Sequence, residues 1–202
     1  MSRIGVLGGT FDPIHVGHLA AALAAMDCAR LDWVLFVPSA QPPHRGAAVA
    51  PADDRLAMSR LAIEGEPRFE VSDLEVRRGG RSYTADTVAE LRRLRPQDEL
   101  FLILGWDAAR LFRTWHAPQR VSSLATIVVV SRPGTRAPSA ADLVTAGLDP
   151  DRVILCLNRT PDVSSSSLRR AIAAGQPAPG KLPVGVGDYI AAHRLYMDNR
   201  KS

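Results

Sequence analysis

The chain has 202 residues, of which 46% are hydrophobic and 23% charged, and its net charge is +4. This composition is typical of an ordinary globular domain and excludes a disordered, collagen-like or coiled-coil chain. The longest strictly apolar run, Leu19–Met26, is far shorter than the roughly 20 residues that a membrane-spanning helix needs.

Five short apolar runs predict β-strands. Their apolar residues are continuous rather than alternating, which is typical of strands covered on both faces. The predicted strands are Arg3–Leu7, Trp33–Val37, Leu100–Leu104, Thr126–Val130 and Arg152–Leu157.

Helical patterns lie between and after these strands. The first helix has Leu19, Leu23 and Met26 on one face and continues to about Leu31. The others are Asp53–Glu64, Thr84–Leu94, Ser139–Ala146, Ser165–Ala174 and a last helix near Val184–His193. This alternation predicts an α/β fold, a Rossmann-like doubly wound parallel sheet flanked by helices. We expect residues 1–202 to form a single domain, whose part from about residue 160 carries the serine-rich helix.

Ligands of such sheets bind at the carboxyl ends of the strands. The segments that follow four of the predicted strands are therefore candidate site segments. They are Gly8–Phe11, Ser39–Arg45, Gly105–Asp107 and Arg132–Gly134.

The charged residues and the cysteines indicate which partners and compartment to expect. Nearly all basic residues are arginines, which suits the binding of phosphate, although a genomic bias towards arginine explains this equally well. The net charge is too small for a dedicated nucleic-acid-binding protein, so we expect neither nucleic acid nor a membrane as partner. Cys28 and Cys156 form no CxxC pair, which predicts two reduced, buried thiols in a cytoplasmic protein. Whether the chain forms a homo-oligomer is left open.

The first predicted strand leads into a glycine-rich segment with two histidines. Glycines at a strand end let backbone amides approach a phosphate closely. His15 and His18 are three residues apart, so they face the same side of a helix start, and Gly17 leaves room for a nucleotide. Helix capping, or a packed histidine pair, is an equally good interpretation of these residues alone. A zinc site is less favoured because no further ligands lie nearby, and neither a Walker A loop nor a GxGxxG fingerprint is present.

A run of four serines, Ser164–Ser167, precedes Arg169 near the other end of the chain. Hydroxyl groups cap the free amides of a helix start, and those amides and the helix dipole also attract phosphate. The guanidinium of Arg169 could close over a triphosphate. A serine-rich cap on a surface helix is the alternative interpretation.

Together these two segments resemble the signature motifs of the nucleotidyltransferase superfamily. Residues 9–18, GTFDPIHVGH, are similar to its GTFDPxHxGH motif. Residues 163–169, VSSSSLR, are similar to its ISSTxIR motif, with Val163, Ser166 and Leu168 as shape-conserving departures. The resemblance implies catalytic roles for His15, His18 and Arg169. It implies ATP contacts from Gly8, Gly9, Thr10, Phe11, His15, His18, Gly105, Asp107, Arg132, Ser165, Ser166 and Arg169.

The middle of the chain resembles bacterial nicotinate mononucleotide adenylyltransferases. Residues 37–45 are similar to their FVPxxxPPHK segment, with Arg45 in place of lysine. Residues 82–87, SYTADT, are similar to their SYTxDTL segment, and Gly105-Trp106-Asp107 followed by Trp115 to their GxD…W element. The acceptor contacts implied are Ser39, Pro43, His44, Arg45, Thr84, Trp115 and His116. Trp115 offers a stacking face to the nicotinate ring, although core filling also explains a tryptophan there.

The implied reaction joins ATP and nicotinate mononucleotide into deamido-NAD and releases pyrophosphate. The attacking phosphate is already anionic, so no general base is needed, and Mg²⁺ is expected to be held mainly by the phosphates of ATP. No metal ligands are predicted in the chain itself. Two alternatives are another adenylyl- or cytidylyltransferase, acting on pantetheine phosphate or glycerol phosphate, and a non-catalytic nucleotide sensor.

Overall fold

A computed structural model of the chain describes residues 1–42, 48–131, 136–157 and 161–197. It contains one sheet of six parallel strands in the order β3-β2-β1-β4-β5-β6. The strands are β1 (Arg3–Gly9), β2 (Trp33–Pro38), β3 (Phe69–Val71), β4 (Glu99–Gly105), β5 (Thr126–Val130) and β6 (Val153–Cys156). The predicted doubly wound parallel sheet is confirmed. The strand β3 was not predicted, because three residues are too few to show a pattern.

Helices cover both faces of the sheet. They are α1 (Val16–Ala29), α2 (Ala52–Ala62), α3 (Leu74–Arg78), α4 (Thr84–Leu94), α5 (Trp106–Ala109), α6 (Pro118–Leu124), α7 (Ala140–Ala146), α8 (Ser165–Ala173) and α9 (Val186–Ala192). The six predicted helices are all present, and α4 has the predicted bounds. The short helices α3, α5 and α6 were not predicted. Among the described residues, no helix is long and apolar enough to cross a membrane.

Alternating side chains of the strands enter two separate cores. In β4, Phe101 and Ile103 pack into the core that contains Met26 of α1, whereas Leu100 and Leu102 face the core beneath α4. This alternation follows from the two-residue period of a strand. Because both faces are buried, the strand sequences are continuously apolar.

The strand order reverses direction between β1 and β4, the two central strands. From β1 the chain moves outwards to β2 and β3, and it then returns to place β4, β5 and β6 on the other side. Ligands bind at such a switch point, in the crevice outside the carboxyl ends of the strands. The segments after β1, β2 and β4 therefore border one crevice.

The two cysteines differ from the sequence expectation of reduced, buried thiols. Cys28, near the end of α1, is exposed, and it forms a disulfide with Cys156 at the end of β6, with 5.8 Å between their Cα atoms. The expectation of reduced thiols is therefore wrong, and the expectation of burial is wrong for Cys28 but confirmed for Cys156. The pairing joins residues 128 positions apart, and it depends on the packing of α1 against β6, which no local pattern reveals.

Candidate active site

The loop after β1 is shaped by tight packing around an aromatic ring. Phe11 is buried and has a left-handed backbone, with φ of 49°. A Cβ atom on Gly9 would lie only 2.8 Å from this ring, so glycine is required there. The ring also packs edge-on against His18, with 5.0 Å between the ring centroids. Gly8 lies exposed at the strand end, and Thr10 follows within the same loop.

His15 and His18 form a stacked pair at the start of α1. Their ring centroids are 3.7 Å apart and their planes differ by 22°. The backbone N–H of His15 donates a hydrogen bond to Nδ1 of His18, at 3.1 Å. Nδ1 therefore carries no proton, and in the neutral ring the proton is on Nε2, which becomes the donor. The histidines are thus both a packed pair and part of the helix cap, and these roles are compatible with a further contact to phosphate.

Gly17 allows α1 to approach the segment before α8. A Cβ atom at this position would lie 2.9 Å from Cγ1 of Val163 and 3.0 Å from Nδ1 of His15. Real Cβ contacts essentially never become as short as the first of these distances. The absence of a side chain at residue 17 therefore lets the two predicted phosphate-binding segments touch.

Two side chains of α8 reach directly into the β1–α1 loop. The hydroxyl of Ser165 donates to the carbonyl oxygen of Pro13 at 2.9 Å. Nη1 of Arg169 donates to the carbonyl oxygen of Asp12 at 2.6 Å and lies 3.6 Å from its carboxylate. Ser166 is exposed in the first turn of α8. The structure thus brings together two motifs that lie about 150 residues apart in the sequence.

Asp12 is a buried acceptor to which distant parts of the chain are attached. Its carboxylate accepts hydrogen bonds from the backbone N–H groups of Val49 and Ala50, at 2.8 and 3.1 Å, and from the hydroxyl of Tyr196, at 2.8 Å. Burial, and next the negative charge of Asp12, raise the pKa of Tyr196, so this phenol stays a donor. Asp12 belongs to the first motif, but no role was predicted for it.

Arg55 of α2 is a second residue that the sequence analysis missed. Its side chain is among the largest fully buried ones, and it donates to three backbone carbonyl oxygens: Thr10 at 2.7 Å, Ala40 at 3.0 Å and Ala50 at 3.1 Å. Burial lowers its pKa, and the nearby charge of Asp12 opposes this shift. The sequence feature that could have indicated a role for Arg55 is an arginine on the buried face of a predicted helix.

Ser39 lies where β2 ends, beside the loop after β1. Its backbone N–H donates to the carbonyl oxygen of Gly9 at 2.9 Å. Its hydroxyl is buried, and among the residues that the structure describes it finds no hydrogen-bond partner. A buried polar atom without a partner costs free energy, so this hydroxyl is a good candidate for a ligand contact.

The other predicted acceptor residues lie on two neighbouring segments. Thr84 is the first residue of α4, and the ring of the preceding Tyr83 lies 4.5 Å from that of His116. Trp115 is half-buried, with 5.4 Å between its ring centroid and that of Phe112. It packs at the edge of a core cluster, so the core-filling interpretation describes part of its surface.

Two predicted ATP contacts follow β4, next to β1 in the sheet. Gly105 ends β4 and precedes α5, and Asp107 is exposed in the first turn of that helix. Four predicted site residues lie outside the described residues: Pro43, His44, Arg45 and Arg132. Within the described ranges, no group of three or more His, Cys, Asp or Glu side chains is placed to hold a metal ion.

Sequence comparisons place the chain among known relatives. A profile of the cytidylyltransferase-like family matches residues 6–171. A Thermus thermophilus protein named "probable nicotinate-nucleotide adenylyltransferase" is 45% identical over 194 residues, which cover 96% of this chain and 99% of that one. A Thermomicrobium roseum protein with the same name is 41% identical over 197 residues, which cover 97% and 92% of the two chains.

A comparison with solved structures agrees with the observed fold. The nicotinic acid mononucleotide adenylyltransferase of Plasmodium falciparum, complexed with NaAD, superposes with a TM-score of 0.79 over 97% of this chain and 98% of that one. Its sequence identity is 18%, so this likeness shows a shared fold. With the family profile and the two bacterial relatives, we conclude that the chain belongs to the nicotinate-nucleotide adenylyltransferase family of cytidylyltransferase-like proteins.

Proposed function

We propose that the protein transfers the adenylyl group of ATP to nicotinate mononucleotide, giving deamido-NAD and pyrophosphate. The observation that carries this proposal is the contact between the two motifs, in which Ser165 and Arg169 of α8 bond to the carbonyl oxygens of Pro13 and Asp12. Through this contact, the first turns of α1 and α8 and a guanidinium lie beside one loop. Helix starts and arginines are the groups that bind the phosphates of nucleotides.

The reaction needs positioning and charge neutralisation more than proton transfer. The phosphate of the acceptor attacks the α-phosphorus of ATP, the new P–O bond forms, and the bond to the leaving pyrophosphate breaks. The nucleophile is already an anion, so the protein has to hold two anions in line and stabilise the charge that develops. Mg²⁺ would enter with ATP as part of the substrate, held by phosphate oxygens and water.

We assign the ATP contacts to the loop after β1 and to α8. Nε2–H of His18 donates to the α-phosphate, beside His15, and backbone amides of Gly8 to Phe11 surround the phosphates. Ser165, Ser166 and Arg169 contact the β- and γ-phosphates. One nitrogen of the Arg169 guanidinium donates to the carbonyl oxygen of Asp12, which fixes the plane of the guanidinium group. Gly105 and Asp107 contact the ribose or the adenine.

We place the acceptor between the end of β2 and the start of α4. The buried hydroxyl of Ser39 and the hydroxyl of Thr84 supply hydrogen bonds. The ring of Trp115 supplies a stacking face, and backbone amides near His116 bind the nicotinate carboxylate. A carboxylate satisfies such donors with a full charge, whereas a carboxamide turns an NH₂ group towards one of them.

The test measures pyrophosphate release with ATP, Mg²⁺ and a panel of acceptors. We expect kcat/KM for nicotinate mononucleotide to exceed that for the nicotinamide form by about ten- to a thousand-fold, and we expect no turnover with pantetheine phosphate or glycerol phosphate. Equal efficiency with the acid and the amide would contradict the acceptor assignment. Substrate binding without any pyrophosphate release would indicate a nucleotide sensor.

A tryptophan pair separates stacking from general packing. Trp115→Ala should raise the KM for both pyridine acceptors and leave the KM for ATP unchanged, because only the acceptor contacts this ring. Trp33→Ala is the matched control, since Trp33 begins β2 at the opposite end of the strand, where Arg95 lies over its ring. If both variants change the acceptor KM equally, Trp115 is a packing residue.

A further inference from the structure

Glu75 is a buried carboxylate outside the groups assigned to the reaction. It lies in the first turn of α3 and is only 6% exposed. Its carboxylate accepts a hydrogen bond from the hydroxyl of Thr87, the nearby hydroxyl of Ser82 favours its ionised form, and the guanidinium of Arg78 lies 4.0 Å away. Burying a carboxylate costs free energy, and an ion pair at this distance offsets only part of the cost.

The two hydroxyls lie at the two ends of the segment Ser82–Thr87. This segment carries Tyr83 and Thr84 between them, and it forms the start of α4. One carboxylate therefore holds the Thr87 end of the segment by a hydrogen bond and interacts with the hydroxyl at its Ser82 end. A shift of Glu75 would move the whole segment.

The contacts continue from Ser82 to the end of β2. The backbone N–H of Ala40 donates to the hydroxyl oxygen of Ser82 at 2.8 Å. The backbone N–H of Ser82 in turn donates to the carbonyl oxygen of Gln41 at 2.9 Å. Ala40 follows Ser39, the residue with the buried hydroxyl. The two sides of the proposed acceptor site are thus joined through Ser82.

The hydrogen-bond directions in this network favour an acceptor at residue 75. The Ser82 oxygen already accepts from Ala40, and the Thr87 oxygen accepts from Nη2 of Arg78 at 2.9 Å. The Thr87 proton points to Glu75 as the nearer acceptor, because the carbonyl oxygen of Tyr83 lies 3.4 Å away, and the ionised carboxylate can also accept from the Ser82 hydroxyl beside it. A glutamine has a similar shape, but its amide presents one acceptor and one donor. A hydroxyl whose proton faces the NH₂ group of this amide would then have to turn away.

We propose that Glu75 is a positioning residue for the acceptor, which fixes Thr84 at the start of α4 against Ser39 at the end of β2. This inference rests on the proposed function, because the acceptor contacts are those assigned there. ATP is assigned to the loop after β1, to α1 and α8 and to the end of β4, whereas the polar partners of Glu75 described above are Thr87, Ser82 and Arg78. The role is therefore specific to one of the two substrates.

The test compares Glu75→Gln with Glu90→Gln in steady-state kinetics with each substrate varied in turn. Glu90 is the matched control, because it pairs with the other terminal nitrogen of Arg78, at 3.3 Å, from the surface of α4. For Glu75→Gln we expect the KM for nicotinate mononucleotide to rise about ten-fold or more, since small displacements of positioning groups have effects of this order. The KM for ATP should stay unchanged, and Glu90→Gln should behave as the wild type.

A second variant keeps the test decisive if Glu75→Gln does not fold. Ser82→Ala cuts the link to Ala40 and leaves the carboxylate in place, and it should raise the KM for the acceptor alone. An unchanged acceptor KM in a folded variant overturns the inference, and so does an equal rise for both substrates. Wild-type protein that releases no pyrophosphate contradicts the proposed function itself, whereas active wild type with indifferent variants contradicts only the role of Glu75.

Discussion

A backbone group fixes the orientation of His18. Because the N–H of His15 donates to Nδ1 of His18, the ring presents Nε2–H as a donor without having to become positively charged. The edge of the Phe11 ring and the stacked ring of His15 restrict its rotation further. A donor held in this way needs no reorientation when charge develops on a phosphate.

We expect His18→Ala to lower turnover by two orders of magnitude or more, which is about the effect of removing one oriented donor from a developing anion. Pyrophosphate release with ATP and nicotinate mononucleotide measures this. His18 is only half-buried, so the variant should keep the circular dichroism spectrum of the wild type. A folded variant with the wild-type rate would remove His18 from the chemistry.

Arg169→Ala should mainly impair the handling of ATP. Loss of a charge-assisted contact costs about 1.5–3 kcal/mol, which corresponds to roughly ten- to a hundred-fold in the KM for ATP. Arg170→Ala is the control, because Arg170 is the exposed neighbour on the same helix. If Arg169→Ala and Arg170→Ala have the same KM for ATP, the triphosphate binds elsewhere.

Among the helices, α2 contributes to the site through one side chain. Arg55 reaches out of α2 to the loops that follow β1 and β2 and to the residues that precede α2 itself. All three acceptors are carbonyl oxygens, which fix the geometry of the backbone but provide no full countercharge. The charge of Asp12 acts on Arg55 from a distance and opposes the lowering of its pKa.

Arg55→Met should therefore lower the free energy of unfolding by about 2–5 kcal/mol, because it leaves carbonyl oxygens of Thr10, Ala40 and Ala50 without their donor. Urea unfolding monitored by fluorescence measures the change. Arg60→Met, at an exposed position of the same helix, should change it by less than about 1 kcal/mol. Equal effects of the two substitutions would show that the buried bonds of Arg55 contribute nothing specific.

At the scale of the whole molecule, the apolar cores and the candidate site occupy different regions around the sheet. Two apolar cores fill the space between the sheet and its helices, while the polar contacts that build the site collect at the carboxyl ends of β1, β2 and β4. Buried charges such as Glu75 lie near this edge, where they order the loops at some cost to the stability of the fold.

The cost of Glu75 should appear in the pH dependence of stability. Burial raises the pKa of Glu75 above its ordinary value of 4.5, and the hydrogen bonds from Thr87 and Ser82 oppose this shift. As the pH rises from that value to the folded-state pKa, the folded protein holds a proton that the unfolded chain has lost, so the free energy of unfolding falls. At pH values below the unfolded-state pKa, and at pH values above the folded-state pKa, the contribution of Glu75 to the free energy of unfolding does not change with pH.

Thermal unfolding of the wild type and of Glu75→Gln across this pH range measures the effect. The stability of the variant relative to that of the wild type should increase from about pH 4.5 upwards and then level off. If the curves of stability against pH for the wild type and the variant run parallel, the pKa of the Glu75 carboxyl is not shifted in the folded state.

Local patterns determined the main elements and the phosphate-binding segments. Continuous apolar runs indicated five of the strands, because a strand buried on both faces has no polar positions. The pattern of Thr84–Leu94 gave a helix with those bounds, because the apolar spacing and the following proline are both local signals. The segments at residues 9–18 and 163–169 indicated the superfamily because motif residues close in the sequence stay close in the loop they form.

Contacts between distant segments were decided only by the tertiary structure. The bond from Arg169 to Asp12, the disulfide between Cys28 and Cys156, and the network around Glu75 each depend on strand order and helix packing. The partners in the first two contacts lie 157 and 128 positions apart in the sequence. The hydrophobic periodicity of either segment does not indicate which distant residue it will contact. The sequence therefore determined which residues could bind phosphate, and the parallel order of the strands decided which of them meet.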